Sequence, residues 1–376
     1  MSGALVDLVA KGVQDSYITG NPEVSFFKQT YKRYTNFAQK PVLLNPMGTL
    51  AANSQISIKI PQKGDLLSYM WVDLGAGTLV SSSDGSGGIE ASHATKPAIF
   101  ELFIGGQLID RQDSTYMVQV WNKFLVDSGA KTKAAYNTST AGNEDYMTDL
   151  LTSTWLPLHF FFCDSAYLPM VAIQYHEVEV RVTFSGSSPA SNIKFYANYV
   201  MLDTDERKMF VDADHKILIE QTQKIYADNT ETATSNPRFD LNLLNHPVKA
   251  LFWVRPTLNA TFTSDEVQLY LNGTEVFEDT MSDKYFRTIQ GYYHSEYGSD
   301  LLKGNAPEEG ANVKMYSFAL KANKHQPSGT CNFSRLDNAD LHLKACAGVP
   351  SSLPLYAVNY NILRIRDGVS GLAFAN

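Results

Sequence analysis

Charged side chains are scarce in this chain. They make up 19% of 376 residues, against 44% hydrophobic and 12% aromatic. The net charge is −8, which makes a poor general nucleic-acid binder, because phosphate contacts need a surplus of Lys and Arg, and no direct nucleic-acid binding is expected. Cysteine is rarer still. Cys163, Cys331 and Cys346 are odd in number and widely spaced, so they imply neither a disulfide framework nor a zinc ligand set. Three free thiols and a reducing, intracellular folding site are expected. No apolar run approaches the ~20 residues of a membrane-spanning helix. The densest, "LPLHFFFC" from Leu156, is far too short. Asp7 and Lys11 interrupt the first apolar stretch, which argues against a signal peptide.

Catalytic signatures are missing as well. There is no phosphate-binding loop, no nucleophile elbow and no H-E-x-x-H, and "DGVSG" (367–371) breaks the G-x-S-x-G spacing. The eight His are scattered, with no two at a spacing of two or four. His176 and Glu177 are adjacent, but on a strand they point to opposite faces. Glu177 and Glu179 share a strand face, as a glycosidase pair could. A solvated or intersubunit face opposite a row of valines is the simpler reading. No catalytic residue, metal site or cofactor is expected, and the chain does not read as an enzyme. The sequons at Asn137, Asn259, Asn272 and Asn332 are no more than an Asn-, Ser- and Thr-rich sequence produces by chance.

What the chain has is two-residue alternation. "SQISIKI" (54–60) puts Ile56, Ile58 and Ile60 on one face. "HEVEVRVTF" (176–184) sets Val178, Val180, Val182 and Phe184 against Glu177, Glu179, Arg181 and Thr183. "EVQLYLNGTEVF" (266–277) reads as a hairpin, with Asn272-Gly273 supplying positive φ angles at its turn. "ADLHLKA" (339–345) and "NYNILRIRDG" (359–368) complete the set of half-buried antiparallel strands. Helical spacing is rare; Met117, Val120, Trp121 and Phe124 in "STYMVQVWNKFLVD" (114–127) predict one helix. The stretches 81–96 and 130–145 read as long polar loops.

The segments also recur in order. "LLSYMWVDL" (66–74) is echoed by "VKALFWVRP" (248–256), and "ELFIGGQLIDRQD" (101–113) by "QLYLNGTEVFEDT" (268–280). Residues 157–182 find a looser echo at 315–343, and "FYANYVMLD" (195–203) one in "LYAVNYNILR" (355–364). Fixed order with a drifting offset implies two copies of one fold, with Trp71 over Trp253 and Gly106 near Gly273. The seam falls between Asp203 and Gln223. The architecture expected is all-β: two tandem eight-stranded antiparallel jelly rolls with an N-terminal arm and few short helices. The divisions are 1–25, 26–208 and 209–376. Trp71 and Trp253 lie in apolar strand segments and read as core.

The opening "GALVDLVAKGVQDSYITGNPEVSFFKQTYKRYTNFA" resembles the N-terminal signature of major capsid proteins of the nucleocytoplasmic large DNA viruses, the algal-virus branch above all. "YLPMVAIQYHEVEV" (167–180), "SFALKANKHQPSGTCNFSRLDNADL" (317–341) and "NYNILRIRDGVSGLAFAN" (359–376) resemble its later motifs. The resemblance implies a tandem jelly roll, a homotrimeric pseudo-hexagonal capsomer and an icosahedral shell assembled in the host cytoplasm. It also implies minor capsid and penton partners, and an inner viral membrane beneath. A minor capsid or spike paralogue, or a carbohydrate-binding or -cleaving jelly roll, are the alternatives. The arm itself carries a turn and a stripe: Asn21 is placed to cap a helix from Pro22, which would align Phe27, Tyr31 and Tyr34.

Overall fold

The computed structural model describes residues 9–73, 98–126, 155–164, 166–184, 193–228, 236–254, 266–295, 313–344 and 352–375. The chain divides into two compact units, Met1–Asn36 and Phe37–Asn376. Cys346 and the loops at 81–96 and 130–145 lie outside the described residues.

In the first unit, one short helix spans Ser16–Thr19 and ends at Gly20. The helix expected from Pro22 does not form. Asn21 takes φ +46°, so it follows the first helix in a left-handed conformation and does not cap a second one. Phe27 and Tyr31 are 99% and 79% exposed, and a helix this short is marginal in water.

The second unit opens with eight strands: β1 (Phe37–Leu44), β2 (Gln55–Ile60), β3 (Leu66–Asp73), β4 (Ile99–Ile104), β5 (Gln107–Asp113), β6 (Trp155–Pro157), β7 (Val178–Thr183) and β8 (Lys194–Leu202). They form two four-stranded antiparallel sheets, ordered β1-β8-β3-β6 and β2-β7-β4-β5, the winding of a jelly roll. The alternating segments land as read. Val178, Val180 and Val182 are buried against Ile56, Ile58, Phe100 and Leu102. Each such side chain contributes about 1.5–3 kcal/mol of burial.

A helix, Thr204–Asp212, joins the halves; the Asp203 carboxylate accepts the Thr204 N–H at 2.8 Å as its cap. Then come β9 (His215–Asp228), β10 (Arg238–Asp240), β11 (Pro247–Val254), β12 (Glu266–Leu271), β13 (Thr274–Glu275), β14 (Met281–Ser282), β15 (Val313–Ser317), β16 (Cys331–Asn332), β17 (Ala339–Lys344), β18 (Ser352–Arg366) and β19 (Val369–Leu372). Here β9 pairs β18, β18 pairs β11 and β11 pairs β15, while the other sheet runs β10-β17-β12-β13. Matching β1 to β9, β2 to β10, β3 to β11, β4 to β12, β5 to β13, β6 to β15, β7 to β17 and β8 to β18 reproduces both orders. The hairpin turns match too: Gly105 and Gly106 at φ +58° and +79°, Asn272 and Gly273 at +51° and +74°. The helix predicted from Met117–Phe124 is a π-helix, Tyr116–Leu125, closed by the Val126 N–H donating to the Trp121 carbonyl at 3.0 Å. A second π-helix, Tyr285–Ile289, follows β14 in the other half.

Trp71 and Trp253 need a correction. Both sit on corresponding strands, but their neighbours differ. Trp71 stands opposite Tyr196, and Trp253 opposite Leu355. The partner of Tyr356 is Phe252, and β8 matches β18 with Tyr196 in the place of Tyr356. So Trp71 corresponds to Phe252, and Val72 to Trp253. A one-residue slip on a strand reverses the face. Trp253 is buried inside the second jelly roll, whereas Trp71 is half-buried on the outer face of the first, stacked on Tyr196 at 5.0 Å.

Candidate assembly surfaces

The sheet β15-β11-β18-β9 is covered on both sides, which explains the near-continuous apolar run of β11. Leu251 and Trp253 face the second jelly roll's own core with Leu353, Leu355 and Ala357. Ala250 and Phe252, with Tyr356 and Val358, join the core of the first. The seam is fastened by polar groups at its margin. The Tyr356 hydroxyl lies 2.9 Å from an Asp113 carboxylate oxygen, and Lys224 pairs with the same carboxylate. The Asp110 carboxylate accepts the Thr222 N–H at 2.9 Å, and the Gln221 amide donates to the Ile109 carbonyl.

Burial sets the electrostatics of this seam. Desolvation pushes the Asp110 carboxyl up to about 7, against the pull of its hydrogen bonds from Thr222, Gln112 and Arg111. Burial alone would raise Glu220 too. Lys249 at 2.6 Å and His325 at 3.4 Å outweigh it and hold that carboxyl below its ordinary range. A buried charge of this kind is tolerated because it is paired.

The outer face of β2-β7-β4-β5 is a charged ladder. Lys59 meets Glu177 at 2.8 Å, and Arg181 reaches Glu179 at 3.1 Å, with Ser57 also donating to Glu179. Arg181 lies over the Phe103 ring at 4.1 Å. Arg181 foremost holds the Glu179 carboxyl below its ordinary range. Glu177 and Glu179 are therefore each engaged by a cation. His176 turns to the C-terminal hairpin, its Nδ1 3.2 Å from the Ser370 hydroxyl. Among the described residues no cluster of three His, Cys, Asp or Glu is placed to hold a metal. Cys163 and Cys331 are free thiols, both pushed up by burial.

The outer face of β1-β8-β3-β6 differs in kind: it is aromatic. Tyr69 is 46% exposed and sits 5.8 Å from Trp71. A groove of about 450 Å³ runs beside them, lined by Trp155 and Pro157 at the β6 edge. Reading Trp71 as core hid this face; the two-residue alternation with buried Met70 and Val72 was the signal that could have shown it.

Comparison with known proteins gives the chain a family. The model of the major capsid protein N-terminus matches residues 25–203, and that of the large eukaryotic DNA virus major capsid protein matches 255–371. The chain is 34% identical to the major capsid protein of Pyramimonas orientalis virus and 32% identical to that of Paramecium bursaria Chlorella virus 1. Each comparison covers 100% of both chains. It aligns with the protein in the quasi-atomic model of the PBCV-1 virus capsid at a TM-score of 0.72 and 27% identity, over 94% of this chain and 100% of that one. With that agreement in sequence, coverage and double jelly-roll fold, the chain belongs to the major capsid proteins of the large eukaryotic DNA viruses.

Proposed function

We propose that three copies of this chain close into a pseudo-hexagonal capsomer, and that such capsomers tile an icosahedral shell. The observation that carries this reading is the repeated strand order. Two similar domains per chain give a trimer six similar walls, so one gene product presents near-hexagonal symmetry to its neighbours. In this reading residues 26–208 and 209–376 are the two building blocks, and 1–25 an arm. The role is structural and needs no cofactor. Its partners are its own copies, minor capsid and penton proteins, and an inner membrane beneath a shell assembled in the host cytoplasm. The charged ladder of Lys59, Glu177, Glu179 and Arg181 suits reversible contacts, since exposed ion pairs contribute only about 0–1 kcal/mol each. Weak, numerous contacts let a shell correct errors before closing. Light scattering coupled to size exclusion tests the capsomer: the expected mass is three chains, and a stable monomer at micromolar concentration overturns it. Electron microscopy of particles tests the tiling.

A further inference from the structure

One chain already shows how such a domain docks on another. In the seam, the first jelly roll offers its π-helix, and the second offers the outer face of β15-β11-β18-β9. Tyr116 meets Tyr356 with ring centroids 5.7 Å apart, and Phe124 meets Phe252 at 5.9 Å. The register maps Phe252 onto Trp71 and Tyr356 onto Tyr196, the stacked pair on the outer face of the first jelly roll. Around that pair, Tyr69 and Leu43 are 46% and 47% exposed. Among the described residues of Phe37–Asn376, the first domain thus carries the receiving surface with no aromatic pair docked on it as Tyr116 and Phe124 dock on the second.

The second domain carries the matching donor. Ile99 pairs Asp113 in the first half and Glu266 pairs Ser282 in the second, which aligns Asp113 with Ser282. The π-helices begin three residues later in each half, at Tyr116 and Tyr285. The same spacing puts Tyr293 where Phe124 stands. Tyr292 and Tyr293 are 71% and 65% exposed. The polar partners change together as well. Lys224, which pairs Asp113 in the seam, has Leu43 at its matching position, and Asp113 has Ser282, so the ion pair is replaced on both sides at once.

We propose that Tyr292 and Tyr293 of one copy dock on the Trp71–Tyr196 face of the next, repeating the intrachain seam between chains. The partner is a second copy of this chain, and the proposal rests on the trimeric reading above. Such a contact is head-to-tail, and it closes into a ring of six jelly rolls when three chains take part. Aromatic anchors of this kind dominate protein interfaces.

The test is the double variant Tyr292→Glu/Tyr293→Glu, measured by light scattering beside wild type. Both side chains are exposed, so the variant is expected to keep its circular dichroism and cooperative unfolding while the mass falls threefold. The pair Tyr69→Cys/Tyr293→Cys gives a second reading. Mild oxidation should link it into covalent trimers on a non-reducing gel, while each single variant does not. A trimeric wild type whose glutamate variant stays trimeric, with no cross-link, overturns this surface and leaves the trimer standing. A monomeric wild type removes both.

Discussion

At the scale of single residues, the repeat shows how two copies of one turn diverged. Gly105 and Asn272 both hold left-handed backbone, yet under different constraints. A Cβ at Gly105 would fall 2.4 Å from the His176 ring, whereas one at Gly106 meets nothing within 4 Å. Gly106→Ala should therefore cost only its backbone strain, about 1 kcal/mol. Gly105→Ala should cost more, because His176 must leave its bond with Ser370. Denaturant unfolding of the two variants checks the order, and equal losses would contradict the account. Asn272 is tolerated because its side chain is used: its Oδ1 accepts the N–H groups of Asp337 and Asn338 at 2.8 and 3.2 Å. Asp110 carries the pH argument. Its folded-state pKa is raised from 3.8 to about 7, so the folded state holds the extra proton between those values. Stability from this group is full below about 4 and declines as pH rises toward 7. Asp110→Asn should flatten that slope; its melting temperatures at pH 5 and pH 7.5 should differ less than those of wild type. Glu220 acts in the opposite sense. Its pKa is lowered, so its contribution is present above about 4.5 and is lost in more acid solution.

At the scale of elements, the seam depends on strands that outrun their own domain. β9 and β18 pair along 14 positions, and Ile219, Leu363 and Ile365 at their far end belong to the first jelly roll's core. The turn at Asp367 and Gly368 then folds β19 back, and the Gly368 carbonyl accepts N–H groups from Gln174 and Tyr175 at 3.1 and 3.0 Å. The Gln107 side chain accepts the Leu372 N–H at 3.1 Å. Truncation after Arg366 removes these bonds, each contributing about 1 kcal/mol. Hydrogen exchange should accelerate at Gln174 and Tyr175 while β12 and β17 keep their protection. Uniform loss across both domains would mean the hairpin is no local clasp. These elements also show what the sequence could reveal. Strands with one wet face, such as β2, β7 and β17, were legible because alternation reports a single buried side. β11 is buried on both sides, so its apolar run held no phase, and aligning Trp with Trp placed Trp71 one residue out of register. The helix around Met117 was legible from its apolar spacing, but its π geometry was not, since spacings of three and four do not distinguish it. The arm departs for another reason: Asn-Pro reads as a helix start, but Asn21 takes left-handed backbone and follows the Ser16–Thr19 helix instead.

At the scale of the whole molecule, the arm leaves several large apolar side chains in water. Val13, Tyr17 and Ile18 are 87%, 91% and 87% exposed, and Phe26 and Phe27 are 95% and 99% exposed. The Ser16–Thr19 helix buries none of its own residues. A turn this short is marginal on its own in water, so little internal packing protects it from proteases. Exposed apolar side chains at such density mark contact surface in an assembling protein. In free capsomers residues 1–21 are therefore expected to be cut first by a nonspecific protease, with Phe37–Asn376 surviving as a core. The proposed assembly would cover the arm with neighbouring capsomers or minor proteins in particles, so there the same digestion should leave it intact. Deleting residues 1–21 should leave the trimer's mass and melting temperature unchanged apart from the missing segment, because the β-sheets begin at Phe37. The same deletion should lower the yield of closed shells severalfold. Normal shell yield from the truncated chain, or failure of that chain to form trimers, would place the arm's contacts elsewhere: in the first case outside assembly, in the second within the capsomer itself.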